Sequence, residues 1–380
     1  MSNAVRTFRA PGRVNLIGEH TDYNLGFVLP IALNLATYVE VHRRDDGRLH
    51  LASEKKGEER SWDIADIAGA KPAGHWTDYV IGVARELIAL GFSIQPSLLR
   101  IRSEVPEGSG LSSSAALEVS SALALLDGRS LDKLDLAKMC RRAENVFVGM
   151  PCGIMDQYVS VFGRDNAAVR IDCRSLEHQA VALPSGVAIV IVNSRVKHEL
   201  GNSAYRVRVS ECALAVEALR RKFPEIQSLR DCTLEKLEAV PLADVVRRRA
   251  KHIVTENLRV NAFVEAAAAG KLDRMGKYFA ESHASMRDDY EISCEEIDFL
   301  VDTAAAFPNC YGARMTGGGF GGCTVNLVEP DAVPDFETAI RRAYFKRYGI
   351  EPTVTLVVAA EGANEVETVE PMAQAPYLAG

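Results

Sequence analysis

Residues 11–30, Pro-Gly-Arg-Val-Asn-Leu-Ile-Gly-Glu-His-Thr-Asp-Tyr-Asn-Leu-Gly-Phe-Val-Leu-Pro, constrain this chain more than any other stretch. Arg13, Asn15, Glu19, His20, Asp22, Tyr23 and Asn24 crowd together between Pro11-Gly12 and Pro30. Val14, Leu16 and Ile17 beside them predict a half-buried strand, so the polar groups after Gly18 are held rather than floppy. A loop satisfying its own backbone accounts for one or two such residues, not for the whole set. Held donors and acceptors at this density suit a small molecule rich in hydroxyls.

At 380 residues the chain exceeds one ordinary core, and two domains are expected. Apolar content of 47% and charged content of 25% describe an ordinary soluble globular protein. A formal charge of −7 argues against a general binder of nucleic acid or anionic membrane, which needs a positive surface. The basic run Arg247-Arg248-Arg249-Ala250-Lys251-His252 reads as a solvated helix face. No basic-then-apolar leader precedes the first strand, and no apolar run is long enough to cross a bilayer. Cys140, Cys152, Cys173, Cys212, Cys232, Cys294, Cys310 and Cys323 form no Cys-x-x-Cys pair, so reduced thiols in a cytoplasmic protein are expected. His198-Glu199 lacks the second histidine of a metalloprotease helix, which argues against a protein-ligated zinc site.

A first strand is predicted over about Val5–Arg9, continuing through Val14–Ile17, with further strands over Phe27–Leu33, Thr37–Arg43, Leu98–Ser103, Val169–Cys173, Val187–Asn193, Gly322–Val328 and Thr353–Ala359. Helices are predicted over Trp76–Leu90, Ser113–Leu126, Leu131–Met150, Ile154–Phe162, Ser203–Lys222 and Pro334–Tyr348, with an almost wholly helical run from Leu234 to Leu300. Within the first of these helices Tyr79, Val83, Leu87 and Leu90 are apolar residues at helical spacing, and Gly91 is a stop signal. A domain boundary is expected near residue 180, giving segments 1–180 and 181–380, with a loose acidic tail from about 361.

Two glycine-rich stretches carry further chemistry. In Val105-Pro-Glu-Gly-Ser-Gly-Leu-Ser-Ser-Ser-Ala-Ala116, Gly108 and Gly110 permit a tight turn, and the serines open a helix with the buried stripe Ala115, Val119, Ala122, Leu123, Leu126. Free amides at a helix start suit phosphate, although the absence of lysine excludes the usual P-loop. In Arg314-Met-Thr-Gly-Gly-Gly-Phe-Gly-Gly-Cys-Thr324, Gly317, Gly319 and Gly322 formally match a dinucleotide fingerprint, but a strand follows where a helix should open. Close backbone approach to a ligand or to the first glycine loop explains them better. Between these stretches, Glu144 sits on a helix, and Asp156 follows a Pro/Gly-framed turn as either a helix cap or a catalytic group.

Together the three motifs resemble those of the GHMP small-molecule kinases, and Gly12-Arg-Val-Asn-Leu-Ile-Gly-Glu-His-Thr-Asp-Tyr23 resembles the galactokinase signature. The resemblance spans residues from about 6 to 360. It implies an α+β two-domain fold: an N-terminal ribosomal-protein-S5-like α/β domain and a C-terminal ferredoxin-like α+β domain, with the active site in the cleft between them. By the same resemblance Glu19, His20 and Asp22 bind sugar hydroxyls, with Gly153 and Tyr205 closing that pocket. Arg13 and Asp156 form the catalytic pair, Ser112 and Ser113 contact phosphate beside Gly108 and Gly110, and Trp76 joins the adenine pocket. Ser114 and Glu144 hold Mg²⁺. The implied reaction moves the γ-phosphoryl group of ATP to the C1 hydroxyl of galactose. Alternatives are another sugar (N-acetylgalactosamine, arabinose, galacturonate), a non-catalytic sugar sensor, or a kinase of mevalonate or homoserine. No long apolar stripe asks for a partner, so a monomer is expected.

Overall fold

The computed structural model describes residues 5–197 and 201–367. His198-Glu199 and the chain beyond residue 367 lie outside the described residues. Strands β1 (Arg6–Asn15), β2 (Phe27–Val28), β3 (Pro30–Arg43), β4 (Arg48–Ser53) and β5 (Glu58–Asp63) are followed by helix α1 (Thr77–Ala89) and strand β6 (Ser97–Ser103). Helices α2 (Ser113–Leu126), α3 (Lys133–Arg142) and α4 (Met155–Phe162) precede strands β7 (Ala167–Asp172), β8 (His178–Ala182) and β9 (Ala188–Lys197). Next come helices α5 (Gly201–Lys222), α6 (Leu234–Glu238), α7 (Asp244–Ala268), α8 (Leu272–Ala284) and α9 (Glu295–Ala305). Strands β10 (Cys310–Thr316) and β11 (Gly321–Val328), helix α10 (Val333–Tyr348) and strands β12 (Thr353–Val357) and β13 (Asn364–Val366) complete the described chain.

The first sheet has six strands in the order β13-β1-β3-β6-β4-β5, antiparallel except where β4 runs parallel to β6. A three-stranded sheet, β2-β7-β8, lies beside it. The second half builds a four-stranded antiparallel sheet in the order β10-β11-β9-β12. With α9 between β9 and β10 and α10 between β11 and β12, this is the βαββαβ connectivity of a ferredoxin-like unit, carrying extra helices between β9 and α9. The mixed α+β, two-part architecture implied by the sequence is therefore the one adopted.

The halves share apolar contacts. Val14, Leu16 and Ile17 at the end of β1 pack in one cluster with Val260 and Phe263 of α7 and Phe279 of α8. Cluster formation at this junction removes the apolar half of residues 11–30 from water and holds the polar half at the cleft.

Several boundaries differ from the sequence reading. Phe27–Leu33 and Thr37–Arg43 were expected as two strands; most of both belongs to the single strand β3, which starts after a break at Leu29. The helix expected over Leu131–Met150 ends as α-helix at Arg142 and passes into a π-type turn, Ala143–Val148. The tail expected to be loose from about 361 is still ordered there: Asn364–Val366 pairs with β1, placing Val366 opposite Thr7. The end of the described chain thus returns to the first sheet. Nor is the basic run of α7 merely a solvated face. Arg249 is 2% exposed and bonded to Glu211, Glu291 and the Asp289 carbonyl, and His252 is fully buried. All eight cysteines are free. No helix among the described residues is long and apolar enough to cross a membrane.

Candidate active site

The loop after β1 is pinned from behind by α7. Glu256 accepts from the Gly18 amide at 3.0 Å, Asn257 from the Phe27 amide at 2.8 Å, and His252 Nε2 donates to the Glu19 carbonyl at 3.1 Å. Gly18 has φ +100° and a Cβ there would lie 2.6 Å from the Phe27 carbonyl, so this tight return needs glycine. The expectation that the polar groups are held is met by these bonds.

Three side chains of this loop, Glu19, His20 and Asp22, then face different ways. Glu19 is 1% exposed and accepts from the Gly317 amide at 2.8 Å and Thr316 Oγ1 at 3.0 Å, with Arg314 at 3.2 Å and Asn15 also bonded. It links the first motif to the third while lining the cleft. His20 bonds through Nδ1 to the Tyr23 hydroxyl at 2.7 Å, which meets the Tyr290 hydroxyl at 2.7 Å. Its Nε2 is buried on the side of the Gly318 backbone. Burial, followed by the nearby His252, pushes His20 down to about 3, so the imidazole is neutral. Asp22 is half-buried, and burial, followed by the charge of Asp156, pushes its carboxyl up to about 6. A Cβ on Gly153 would lie 1.8 Å from Asp22 Oδ2, so the carboxylate occupies the space that glycine leaves. The Tyr205 ring lies 5.1 Å from His20 and closes this side.

Asp156 stands in the first turn of α4 and caps none of its amides. Arg13 donates to both of its oxygens at 2.8 Å, and the Ser112 hydroxyl donates to one of them. Ser112 (φ +58°) ends the glycine loop and precedes α2, whose amides no side chain caps. Gly108 (φ +68°) and Gly110 (φ +80°) shape that loop.

The third motif turns between β10 and β11 with Gly317, Gly319, Gly321 and Gly322 all at positive φ. Cβ atoms on Gly317 and Gly322 would stand 3.1 Å from the carbonyls of Gly110 and Ser109. The two glycine loops therefore meet backbone to backbone, as the sequence suggested.

Glu144 opens the π-type turn after α3. Gln157 donates to its Oε2 at 2.6 Å and the Cys152 thiol at 3.2 Å, and Ser114 also bonds to the carboxylate. Burial, then the Asp156 charge, raises Glu144 above the ordinary carboxylate range. Arg13, Glu19, His20, Asp22, Ser112, Ser114, Glu144, Asp156, Tyr205 and the two glycine loops face one cleft of about 370 Å³. A second recess of about 230 Å³ adjoins it through Gly108, Ser113, Ser114 and Tyr79. Trp76 lines only this recess, donating its indole N–H to Glu58 at 2.6 Å.

Sequence reasoning missed three contributors. Tyr79 reads as one apolar tooth of a helical stripe, yet it lines both cavities, and burial with the Glu144 charge pushes its phenol up to about 12. Lys55 and Lys56 lie between β4 and β5, a hairpin left unassigned, and line the recess with Glu107. Gln157 lines neither cavity but holds Glu144 from inside, donating to its Oε2 at 2.6 Å. Among the described residues, no three His, Cys, Asp or Glu side chains converge as a metal cage.

Comparison with known proteins bears on this geometry. Residues 78–164 match the GHMP kinases N terminal domain and residues 263–346 the GHMP kinases C terminal domain. A mevalonate kinase crystal structure superimposes with a TM-score of 0.67 over 93% of this chain and 98% of that one, at 16% identity, a likeness of fold. Fold and paired glycine loops thus define a GHMP kinase. Residues 2–43 match the galactokinase galactose-binding signature. The galactokinase of Roseiflexus sp. (strain RS-1) is 44% identical over 362 residues, 94% of this chain and 92% of that one. The galactokinase of Halalkalibacterium halodurans is 39% identical, covering 95% of this chain and 93% of that one. The crystal structure of Lactococcus lactis galactokinase complexed with galactose has a TM-score of 0.91 at 34% identity, covering 95% of each chain. The chain belongs to the galactokinase family.

Proposed function

We propose that this sugar kinase transfers the γ-phosphoryl group of ATP to the C1 hydroxyl of α-D-galactose, giving galactose 1-phosphate and ADP. One observation carries the site assignment: Asp156 is clamped by Arg13 and Ser112 where the sugar-type cluster and the glycine loop share one cleft. His20, Asp22, Tyr205 and the lining oxygen of Glu19 orient the hydroxyls, with Gly153 making room for Asp22. The neutral His20 contributes its Nε2, and Asp22 accepts when ionised. Gly108, Gly110, Ser112 and Ser113 cradle the phosphates at the start of α2, and the Trp76 recess takes the base.

In the reaction the C1 oxygen forms a bond to the γ-phosphorus as the bond to the β-phosphate oxygen breaks. Asp156 accepts the hydroxyl proton, and Arg13 stabilises charge on the transferring group. The Ser114 hydroxyl and Glu144 carboxylate form an oxygen-only pair, which suits Mg²⁺ because that ion takes one or two protein oxygens and completes its shell with phosphates and water. When bound, the ion neutralises phosphate charge. We further propose a cytoplasmic setting, supported by eight cysteines with no Cys-x-x-Cys pair.

The test measures ADP release from Mg·ATP with galactose, glucose, N-acetylgalactosamine, arabinose and galacturonate. Turnover with galactose alone is expected. Faster turnover on another sugar overturns the pocket assignment. No turnover on any, with galactose still raising the melting temperature, replaces the enzyme with a sensor.

A further inference from the structure

Behind Glu144 the interior holds a second carboxylate that the reaction does not touch. Glu118 lies on α2 four residues beyond Ser114, one turn deeper on the same helix face, and is fully buried. Gln157 of α4, also fully buried, stands between the two acids. Its Nε2 donates to Glu118 Oε2 at 2.9 Å and to Glu144 Oε2 at 2.6 Å. An amide nitrogen has two protons, so one goes to each acid. The Cys152 thiol also donates to Oε2 of Glu144, and neither it nor Gln157 reaches Oε1. One oxygen of Glu144 is thus anchored from inside while Ser114 stands at the cleft side.

Glu144 needs such an anchor. Its backbone lies in a π-type turn whose Val146 is 74% exposed, so this turn is not locked by burial along its whole length. A ligand on an irregular segment keeps its rotamer only if something behind it holds the side chain.

We propose that Gln157 and Glu118 are positioning residues for the nucleotide-bound metal, Gln157 holding Glu144 in its ligating rotamer and Glu118 holding Gln157. The proposal rests on the reading that Ser114 and Glu144 hold the ion. Burial, followed by the Glu144 charge, holds the Glu118 carboxyl well above the usual range. Glu118→Gln keeps the size and shape of the side chain and an oxygen to accept from Gln157.

Mn²⁺ titrated into the full-length enzyme with ADP, followed by the electron paramagnetic resonance of free Mn²⁺, tests this directly. Gln157→Met and Glu118→Leu are expected to weaken Mn²⁺ binding by about tenfold or more. Glu118→Gln should stay near wild type, and galactose binding without nucleotide should be unchanged in all three. Wild-type Mn²⁺ affinity in Gln157→Met that still binds galactose overturns the proposal, provided Glu144→Gln weakens the ion. If Glu144→Gln binds Mn²⁺ normally as well, the metal site itself is misassigned. Should Gln157→Met fail to fold, the Glu118 pair decides: equal affinities in Leu and Gln variants overturn the proposal, and a loss confined to Leu supports it.

Discussion

A carboxylate offers about four lone-pair sites, and at Asp156 two go to Arg13 and one to Ser112. One site remains for a sugar hydroxyl, aimed by three fixed bonds. Asp156→Asn preserves the shape but removes the charge. It is expected to lose several orders of magnitude in turnover while galactose still binds by calorimetry; near-normal turnover would exclude Asp156 from the chemistry. Asp22 makes a second prediction, on pH. Its folded carboxyl sits at about 6 because burial, then Asp156, disfavours the charge; an unfolded aspartate titrates at about 3.9. The folded state therefore binds the extra proton between these values, and this group's contribution to stability of the sugar-free enzyme falls as pH rises through that window. Binding runs the other way, because the ionised carboxylate is the better acceptor. The apparent galactose affinity should drop below about pH 6, and Asp22→Asn should abolish that limb while raising the melting temperature of the sugar-free enzyme at pH 7.5 more than at pH 4.

At the scale of elements, glycine decides how closely helix and strand approach. Gly276 of α8 faces β10, and a Cβ there would lie 1.7 Å from the Tyr311 carbonyl. Gly312 answers it, with its own Cβ position 2.5 Å from the Gly276 Cα. Because β10 ends in Thr316 and feeds the third glycine loop, this contact sets the height of that loop beneath Glu19. Gly276→Ala is expected to cost about 3 kcal/mol in urea unfolding, the upper end of ordinary overpacking, since backbone must move rather than a side chain. A cost under about 1 kcal/mol would mean that α8 slides freely on the sheet. The π-type turn at Glu144 works at the same scale, turning the regular α3 into a segment that delivers one carboxylate to the cleft.

Across the whole molecule, Arg314 is the clearest tie. Its side chain is fully buried on β10, donates to the carbonyls of Asn15 and Leu16 in the first half, and pairs with Glu19 at 3.2 Å. Its guanidinium also lies 5.7 Å from the Phe279 ring. Arg314→Met keeps an apolar stem but leaves Glu19 without its ion partner. Breaking such a buried pair costs about 3–5 kcal/mol. Unfolding by denaturant should shift accordingly, and galactose kcat/KM should fall because Glu19 loses its bearing. A shift within error would show that Thr316 and Gly317 alone suffice. The shared cluster of Val14, Leu16, Ile17, Val260, Phe263 and Phe279 leads us to expect one cooperative transition rather than two.

Local chemistry was legible without coordinates. The periodicity of Ala115, Val119 and Leu126 located α2 at Ser113–Leu126, and the polar crowding after Gly18, the serine run and the glycine-rich third motif all line the observed cleft. Such features act over a few residues, where spacing alone dictates which face is buried or which backbone angle is allowed. Pairings between distant segments left no comparable mark. Nothing at positions 314 and 19 announces a buried ion pair, nothing at 364–366 announces a strand for β1, and Tyr79 and Gln157 look like ordinary helix residues until α1, α2 and α4 converge. The reason is physical: a contact between residues hundreds of positions apart is specified by how several apolar faces pack at once, so its polar members acquire roles only when that packing brings them together.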